Sequence, residues 1–182
     1  IGFVLSLPES RQNRGLTLEA ARLLLARGDL KAAEQTLRNL SGIEAGFFLG
    51  KLLAEQKRWS EATPFLLQSL GSSDRRPQAL RLLAQGAVEI RDWVSATRYF
   101  GELVMADPQD SKALKALAAC HQHSGDSLAA LATAQRALTL APGDPELIRL
   151  MSEVSEASAS ISPLTAKRNQ DPQPRINRRR NR

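Results

Sequence analysis

A repeat of about 34 residues restricts the fold of this chain more than any other feature. The segment RDWVSATRYFGELVMADPQD aligns with GDSLAALATAQRALTLAPGD at an offset of 34 residues, and the same shift towards the N-terminus takes Trp93 to Trp59. An earlier copy, RGDLKAAEQTL, matches KRWSEATPFLL at 29 residues, so one connection is shorter. Self-similarity at such a period is typical of repeat proteins. Together these segments make four copies of the repeat. One copy cannot bury its apolar face alone, so the copies are expected to stack.

Each copy is predicted to form two helices. The first helices are expected at 17–27, 44–56, 77–90 and 111–123, and the second helices at 30–40, 60–70, 93–106 and 127–140. Asp29, Asp92 and Asp126 stand directly before second helices, where a carboxylate accepts hydrogen bonds from the unpaired N–H groups of the first turn. A ninth helix is expected from Pro145 to about Ser158. Because this helix has no partner, it is predicted to cap the stack.

The composition fits a fold of closely packed helices. Hydrophobic residues make up 42% of the chain but aromatic residues only 4%, so the core must consist mainly of Leu and Ala. A β-sandwich would favour β-branched and aromatic residues instead. Small side chains such as Ala96 and Ala130 let neighbouring helix backbones come close. The sequence therefore predicts an all-α fold.

Residues 1–13 form a separate N-terminal segment. The run 1–7 is apolar but too short to span a bilayer by itself. Two interpretations stay open: the run is the end of a truncated membrane anchor, or it packs on the first helix as a hydrophobic staple. The anchor is slightly favoured, because Pro8 and a polar run follow at once.

Residues 159–182 are predicted to be a disordered basic tail, because they combine few apolar residues with several prolines. Seven of the 25 basic residues but only one of the 19 acidic residues fall in 167–182, which leaves 18 of each in residues 1–166. The candidates for contact with an anionic partner are Arg175, Arg178, Arg179, Arg180 and Arg182. They would bind the phosphates of a nucleic acid or an anionic membrane surface, although the tail has no aromatic residue to stack on bases. The alternative is a solvated terminus without a partner.

Four features of the repeats resemble the tetratricopeptide repeat (TPR) family. They are the 34-residue period, the Leu-Ala pair of the first helix (83–84 and 117–118), the alanine early in the second helix, and the proline that closes repeats three and four. The resemblance covers about residues 14–158, and Ala45 and Asp74 depart from it at the closing positions of copies one and two. It implies an all-α, right-handed α-solenoid of about four TPR-like helical hairpins with a C-terminal capping helix.

In this family the first helix of each hairpin lines a concave groove that accepts an extended or helical peptide. The resemblance places in the groove Arg22, Lys51, Arg81, Gln85, Lys112, Lys115 and His123, with Glu55 and Glu89 between them. The positive charges would suit an acidic segment or a C-terminal carboxylate of a protein partner. The paired Lys/Asn clamp of chaperone-binding members is not reproduced, however, and a solvated helix face is the alternative interpretation.

Few residues suggest a catalytic or metal site. Cys120, His121 and His123 lie on one predicted helix, but two of them at most share a face, and no further Cys or His exists to complete a zinc shell. A nucleophilic cysteine also needs a base and an oxyanion environment, so we expect Cys120 to pack internally. No catalytic residue, metal or cofactor is predicted. Trp59 and Trp93 could be ligand platforms, but their identical register favours packing.

Together these features predict a non-enzymatic scaffold that holds a partner polypeptide in its groove. If residues 1–13 are the end of an anchor, the chain would be the soluble part of a membrane-tethered assembly factor. Two alternatives stay open: a nucleic-acid or anionic-surface-associated protein that acts through the basic tail, and a regulatory module of a larger enzyme. Because folds host many functions, the first choice depends largely on analogy.

Overall fold

The computed structural model describes the backbone of residues 14–168 and the side chains of residues 14–156. Regular secondary structure in this range is α-helical throughout. The helices are α1 (Arg14–Ala26), α2 (Leu30–Arg38), α3 (Ile43–Glu55), α4 (Trp59–Ser69), α5 (Arg76–Glu89), α6 (Trp93–Ala106), α7 (Ser111–His123), α8 (Ser127–Leu140) and α9 (Pro145–Arg168). Each helix packs on the next one along the chain, so four hairpins stack in sequence and α9 closes the stack against α8 and α7. The predicted all-α solenoid of helical hairpins is confirmed.

The predicted helices coincide with α1–α8 to within three residues at each end. The clearest difference is α9, which continues to Arg168 rather than ending near Ser158. Ala159, Ala166 and Lys167 favour the continuation, whereas Pro163 within it lacks the N–H that a helix interior requires. The first ten residues of the predicted disordered tail are therefore helical in the structure, and residues 169–182 lie outside the described range.

Alanines at repeated positions allow the hairpins to pack closely. Ala62, Ala96 and Ala130 occupy the same register in α4, α6 and α8, and each is fully buried. Ala84 of α5 and Ala118 of α7 share a second register and are also fully buried. A methyl side chain at these positions permits adjacent backbones to approach, and leucines around them, such as those at the centre of α3, fill the remaining core.

Carboxylate caps set where the helices begin. The side chains of Asp29, Asp92 and Asp126 each accept a hydrogen bond from the backbone N–H three residues ahead, at 3.3, 3.1 and 3.0 Å. These contacts confirm the predicted N-caps of α2, α6 and α8. Asp110 caps α7 in the same way, accepting from Ala113 N at 3.0 Å. The hairpin turns themselves place a residue in the left-handed region, with Gly28 at φ 79° and Gly125 at φ 84°.

The predicted N-terminal anchor, residues 1–13, lies outside the described residues. Among those that the structure describes, no helix combines the length and the apolar character required to cross a bilayer.

Candidate partner-binding face

The first helices of the hairpins, α1, α3, α5 and α7, form what we call the first-helix face. Three clefts lie between neighbouring helices on this face. Residues of α1 and α3 line one cleft of about 320 Å³, residues of α5, α6 and α7 line a second of about 280 Å³, and residues of α7 and α9 line a third of about 250 Å³. A row of clefts along one face matches the geometry that an elongated ligand requires.

The seven residues predicted for the groove are distributed over these clefts. Arg22 and Lys51 line the α1/α3 cleft. Gln85 lines the α5/α7 cleft, Lys115 lines the α7/α9 cleft, and His123 lies between these two. Arg81 and Lys112 line none of the three, although both are exposed. The structure therefore brings the predicted residues together in small groups rather than in one site.

Two of the predicted cations hold successive repeats together. Arg81 on α5 contacts the carboxylate of Asp110, the N-cap of α7, at 2.6 Å. One repeat later, Lys115 on α7 contacts Asp144, which accepts from the first N–H groups of α9, at 3.0 Å. Both pairs are 29 residues apart and in the same register. Each bridge therefore links a first helix to the start of the next first helix.

The pKa values of these groups reflect the bridges. Glu146 and Asp144 beside the Lys115 ammonium raise the pKa of that lysine, and Lys115 in turn lowers the pKa of Asp144. Burial by itself raises the pKa of Asp110, but the N–H of Ala113 and the guanidinium of Arg81 outweigh it and the net pKa is lowered. The shifts favour the charged forms of Lys115, Asp144 and Asp110.

The preceding repeat replaces the ion pair with an aromatic contact. Phe47 occupies the register of Arg81 and Lys115, and the guanidinium of Arg75, at the start of α5, lies 5.1 Å from the centroid of its ring. Arg75 also contacts Glu44 at 2.7 Å. A cation over a ring is an attractive contact, so the link between successive first helices is kept by different chemistry.

The remaining charges of the first-helix face are largely paired as well. The other pairs are Arg22 with Glu19 at 2.7 Å, Lys51 with Glu55 at 3.8 Å, and Lys57 with Glu89 at 3.7 Å. Lys112 has no carboxylate within 4.0 Å among the described residues. Because most of these cations have an acidic partner, much of the positive charge of the face is already compensated.

The α5/α7 cleft is the most apolar of the three. Carbon atoms of Val88, Trp93, Phe100, Ala116 and Ala119 make up most of its wall, and Cys120 lies at its base. Gln85, Glu89 and His123 are the polar residues around it. The rings of Trp93 and His123 stack at 4.3 Å between centroids, with 14° between their planes.

The sequence did not point to Phe48 or Phe100 as residues of the face. Phe48 lines the α1/α3 cleft, where the guanidinium of Arg22 lies 5.6 Å from its ring centroid. Phe100 lines the α5/α7 cleft from α6. Both side chains are partly buried against the core, and their apolar character gives no sign that they border a cleft. A comparison of residue size between copies in the same register could have marked the α5/α7 cleft.

Cys120 is a packed side chain, as predicted. It is 2% exposed, and burial raises the pKa of its thiol to about 11. A protonated buried thiol is a poor nucleophile. His121 is half-buried, and its carbonyl accepts the N–H of Asp126 at 3.0 Å. The tail candidates Arg175, Arg178, Arg179, Arg180 and Arg182 lie outside the described residues.

Solved structures share this fold. No protein-family model matches the sequence, and no curated protein matches it significantly. The chain superposes on MamA AMB-1 in crystal form P212121 with a TM-score of 0.72 at 15% identity, over 82% of this chain and 85% of that one. It superposes on MamA 41-end from Desulfovibrio magneticus RS-1 with a TM-score of 0.66 at 18% identity, over 87% and 97%. At such low identity the likeness establishes the fold, a TPR-like helical solenoid.

Proposed function

We propose that this chain is a non-enzymatic scaffold that binds a partner polypeptide along its first-helix face. The row of clefts between successive first helices is the observation that carries the proposal. An extended or helical segment can contact several clefts at once, and repeat proteins use such elongated surfaces for binding. The bridges from Arg81 and Lys115 to helix starts support the proposal further, because they hold neighbouring first helices in register.

The charge of the face bears on the kind of partner. The sequence predicts that a partner with an acidic segment would be attracted by the cations of the groove. In the structure, Arg81 and Lys115 already contact carboxylates, and an acidic partner would have to compete with them. The pairs formed by Arg22 and Lys51 are more exposed and easier to exchange. An acidic partner therefore stays a prediction that favours the α1/α3 end of the face.

A display selection of random peptides on the full chain, followed by hydrogen exchange of the complex, tests the proposed function. We expect the selected peptides to protect amides of α1, α3, α5 and α7 and to leave those of α4, α6 and α8 unchanged. Gln85→Arg on α5 should change the affinity for the selected peptides about tenfold or more. The matched change Gln135→Arg on α8, also an exposed glutamine, should leave it unaltered. Failure to select any binder, or protection confined to second helices, contradicts the proposal.

The basic tail supports a second candidate function, association with a nucleic acid or another anionic surface. All of the net positive charge of the chain lies within residues 167–182. If the tail binds RNA through phosphate contacts, affinity should fall steeply with salt. Titrating single-stranded RNA into the full chain and into a chain that ends at residue 166 separates the two functions. Membrane tethering through residues 1–13 and a role within a larger enzyme stay predictions.

A further inference from the structure

Two alanines of α7 line the α5/α7 cleft at positions where the preceding copy carries larger side chains. Ala116 and Ala119 on α7 stand in the register of Leu82 and Gln85 on α5. Leu82 packs on the core in the preceding seam, whereas Ala116 and Ala119 line the open cleft. The cleft is therefore open on the side of α7 where these two alanines stand.

A difference between the two copies at the base of the cleft changes what the tryptophan packs against. Trp59 lies so close to Gly86 that a Cβ atom on that glycine would be 2.7 Å from the Trp59 ring. In the next copy, Cys120 stands in the register of Gly86. A tryptophan cannot approach a side chain as closely as it approaches a bare backbone. Trp93 instead stacks on His123 and forms a wall of the cleft.

We propose that the α5/α7 cleft is an anchor pocket for one uncharged aromatic side chain of the partner polypeptide, which rests on the function proposed above. The volume of about 280 Å³ accommodates a single large side chain and excludes a helix. The wall includes the rings of Trp93 and Phe100, and aromatic rings favour edge-to-face and offset contacts with one another.

Charge complementarity selects an uncharged group for this pocket. Glu89, at the rim, has Lys57 as its partner at 3.7 Å, and Arg81, on the same helix, has Asp110. A charged side chain entering the cleft would lose its hydration against a wall that is mostly carbon, and Glu89 at the rim would also repel an acidic group. Gln85 and His123 at the rim still offer polar atoms to a ring that carries an N–H or O–H group.

N-acetyl-L-tryptophanamide, which is uncharged, is a direct probe of the pocket. We expect a titration to about 10 mM against the full chain with 13C-labelled alanine methyls to give saturable shifts at Ala116 and Ala119. The same titration with N-acetyl-L-glutamate should give no saturable shift there. Absence of saturation with the indole probe, or an equal response to the glutamate probe, overturns the proposal.

Ala116→Leu tests the pocket by restoring the residue that the preceding copy has at Leu82. The added side chain should weaken binding of the indole probe about tenfold or more, with helix content and melting temperature checked by circular dichroism. The matched control is Ala132→Leu on α8, an exposed alanine away from the cleft. Unchanged binding by a folded Ala116→Leu protein overturns the proposal. If the variant does not fold, the methyl titration of the unaltered chain decides alone.

Peptides selected on the full chain separate this proposal from the function on which it rests. Replacing the aromatic residue of such a peptide with alanine should weaken its binding, and the loss should be much smaller in Ala116→Leu. If peptides protect the first-helix face but tolerate both changes, the anchor pocket is refuted and the scaffold function stands. If no peptide binds the face, the scaffold function is refuted, and the assignment of a polypeptide to the pocket falls with it.

Discussion

At the scale of single residues, a hydrogen or a methyl group in place of a larger side chain decides how closely two hairpins approach. Gly50 of α3 stands in the register of Ala84, Gly86 of α5 stands in the register of Cys120, and the two glycines face different neighbours. A Cβ on Gly50 would lie 2.9 Å from the side chain of Leu66, and one on Gly86 would lie 2.7 Å from Trp59. Both positions therefore use the missing side chain for packing between helices rather than for an unusual backbone conformation.

Gly86→Ala and Gly101→Ala are expected to change stability in opposite directions. Both glycines lie inside helices, where alanine gains about 0.5–1 kcal/mol from backbone entropy. At Gly86 the new methyl group collides with Trp59, and overpacking of this kind costs roughly 1–3 kcal/mol. At Gly101 no atom lies within 4 Å of the new Cβ, so the gain remains. Thermal or urea unfolding of the two variants measures the difference, and a stabilised Gly86→Ala protein would contradict the packing described here.

At the scale of helices, ion pairs join elements from different hairpins on both faces of the stack. Opposite the first-helix face, Glu34 and Arg38 of α2 meet Arg58 and Glu61 at the start of α4. Arg58 lies between the two acids, 2.8 Å from Glu34 and 2.7 Å from Glu61, and Arg38 contacts both acids at 2.8 and 2.9 Å. These contacts tie the first hairpin to the second, where the connection is shorter than in the other copies.

This network is expected to make the fold less stable at low pH. The guanidinium of Arg58, followed by that of Arg38, lowers the pKa of Glu61 from 4.5 to about 2, and the same two groups lower the pKa of Glu34. A carboxylate with a lowered pKa in the folded state contributes stability above pH 4.5, and this contribution is lost as the pH falls towards 2. Melting temperatures between pH 6 and 2 should fall less steeply for Arg58→Gln than for the unaltered chain. Arg27→Gln, at an exposed arginine outside the network, is the control. Its melting temperature should fall with pH as steeply as that of the unaltered chain.

At the scale of the whole molecule, the first helix of the stack is buried less than the first helix of the second hairpin. α3 buries eight residues and α1 only three, although the two helices have 13 residues each. In a solenoid, stability is roughly the sum of the hairpins and of the interfaces between neighbours. Within the described residues, the α1–α2 hairpin has a neighbouring hairpin on one side only.

Hydrogen exchange should therefore be fastest in α1 and α2 and slowest in α3–α6. Helices with fewer buried contacts open at a lower free energy and lose amide protection first. Mass spectrometry of the exchanging chain, read by peptide, would show this gradient at neutral pH. Equal protection of α1 and α5 would show that the chain opens as one cooperative unit instead.

How much was predictable from the sequence differs between fold and site. The spacing of repeated alanines and the aspartates before the second helices predicted the helices closely. Gln85 and His123 line one cleft in the structure, and their role in partner binding stays a prediction. The roles of Arg81 and Lys115 were not foreseen, because their partners lie 29 residues away and come close only when the hairpins are stacked. Phe100 was missed for a similar reason, since an apolar side chain in a helix gives no sign that it will border an open cleft.

The sequence by itself determined the helices, their caps and their order in the stack. Those properties depend on residues within one turn or on the repeat itself, and each can be read from spacing. Which charged groups are paired, and where space remains between helices, follow from how the hairpins stack. The stack brought Arg81 to Asp110, and it set Trp93 on His123 where Trp59 rests on Gly86. Such contacts depend on the shapes of side chains that meet across hairpins, and no local pattern encodes them.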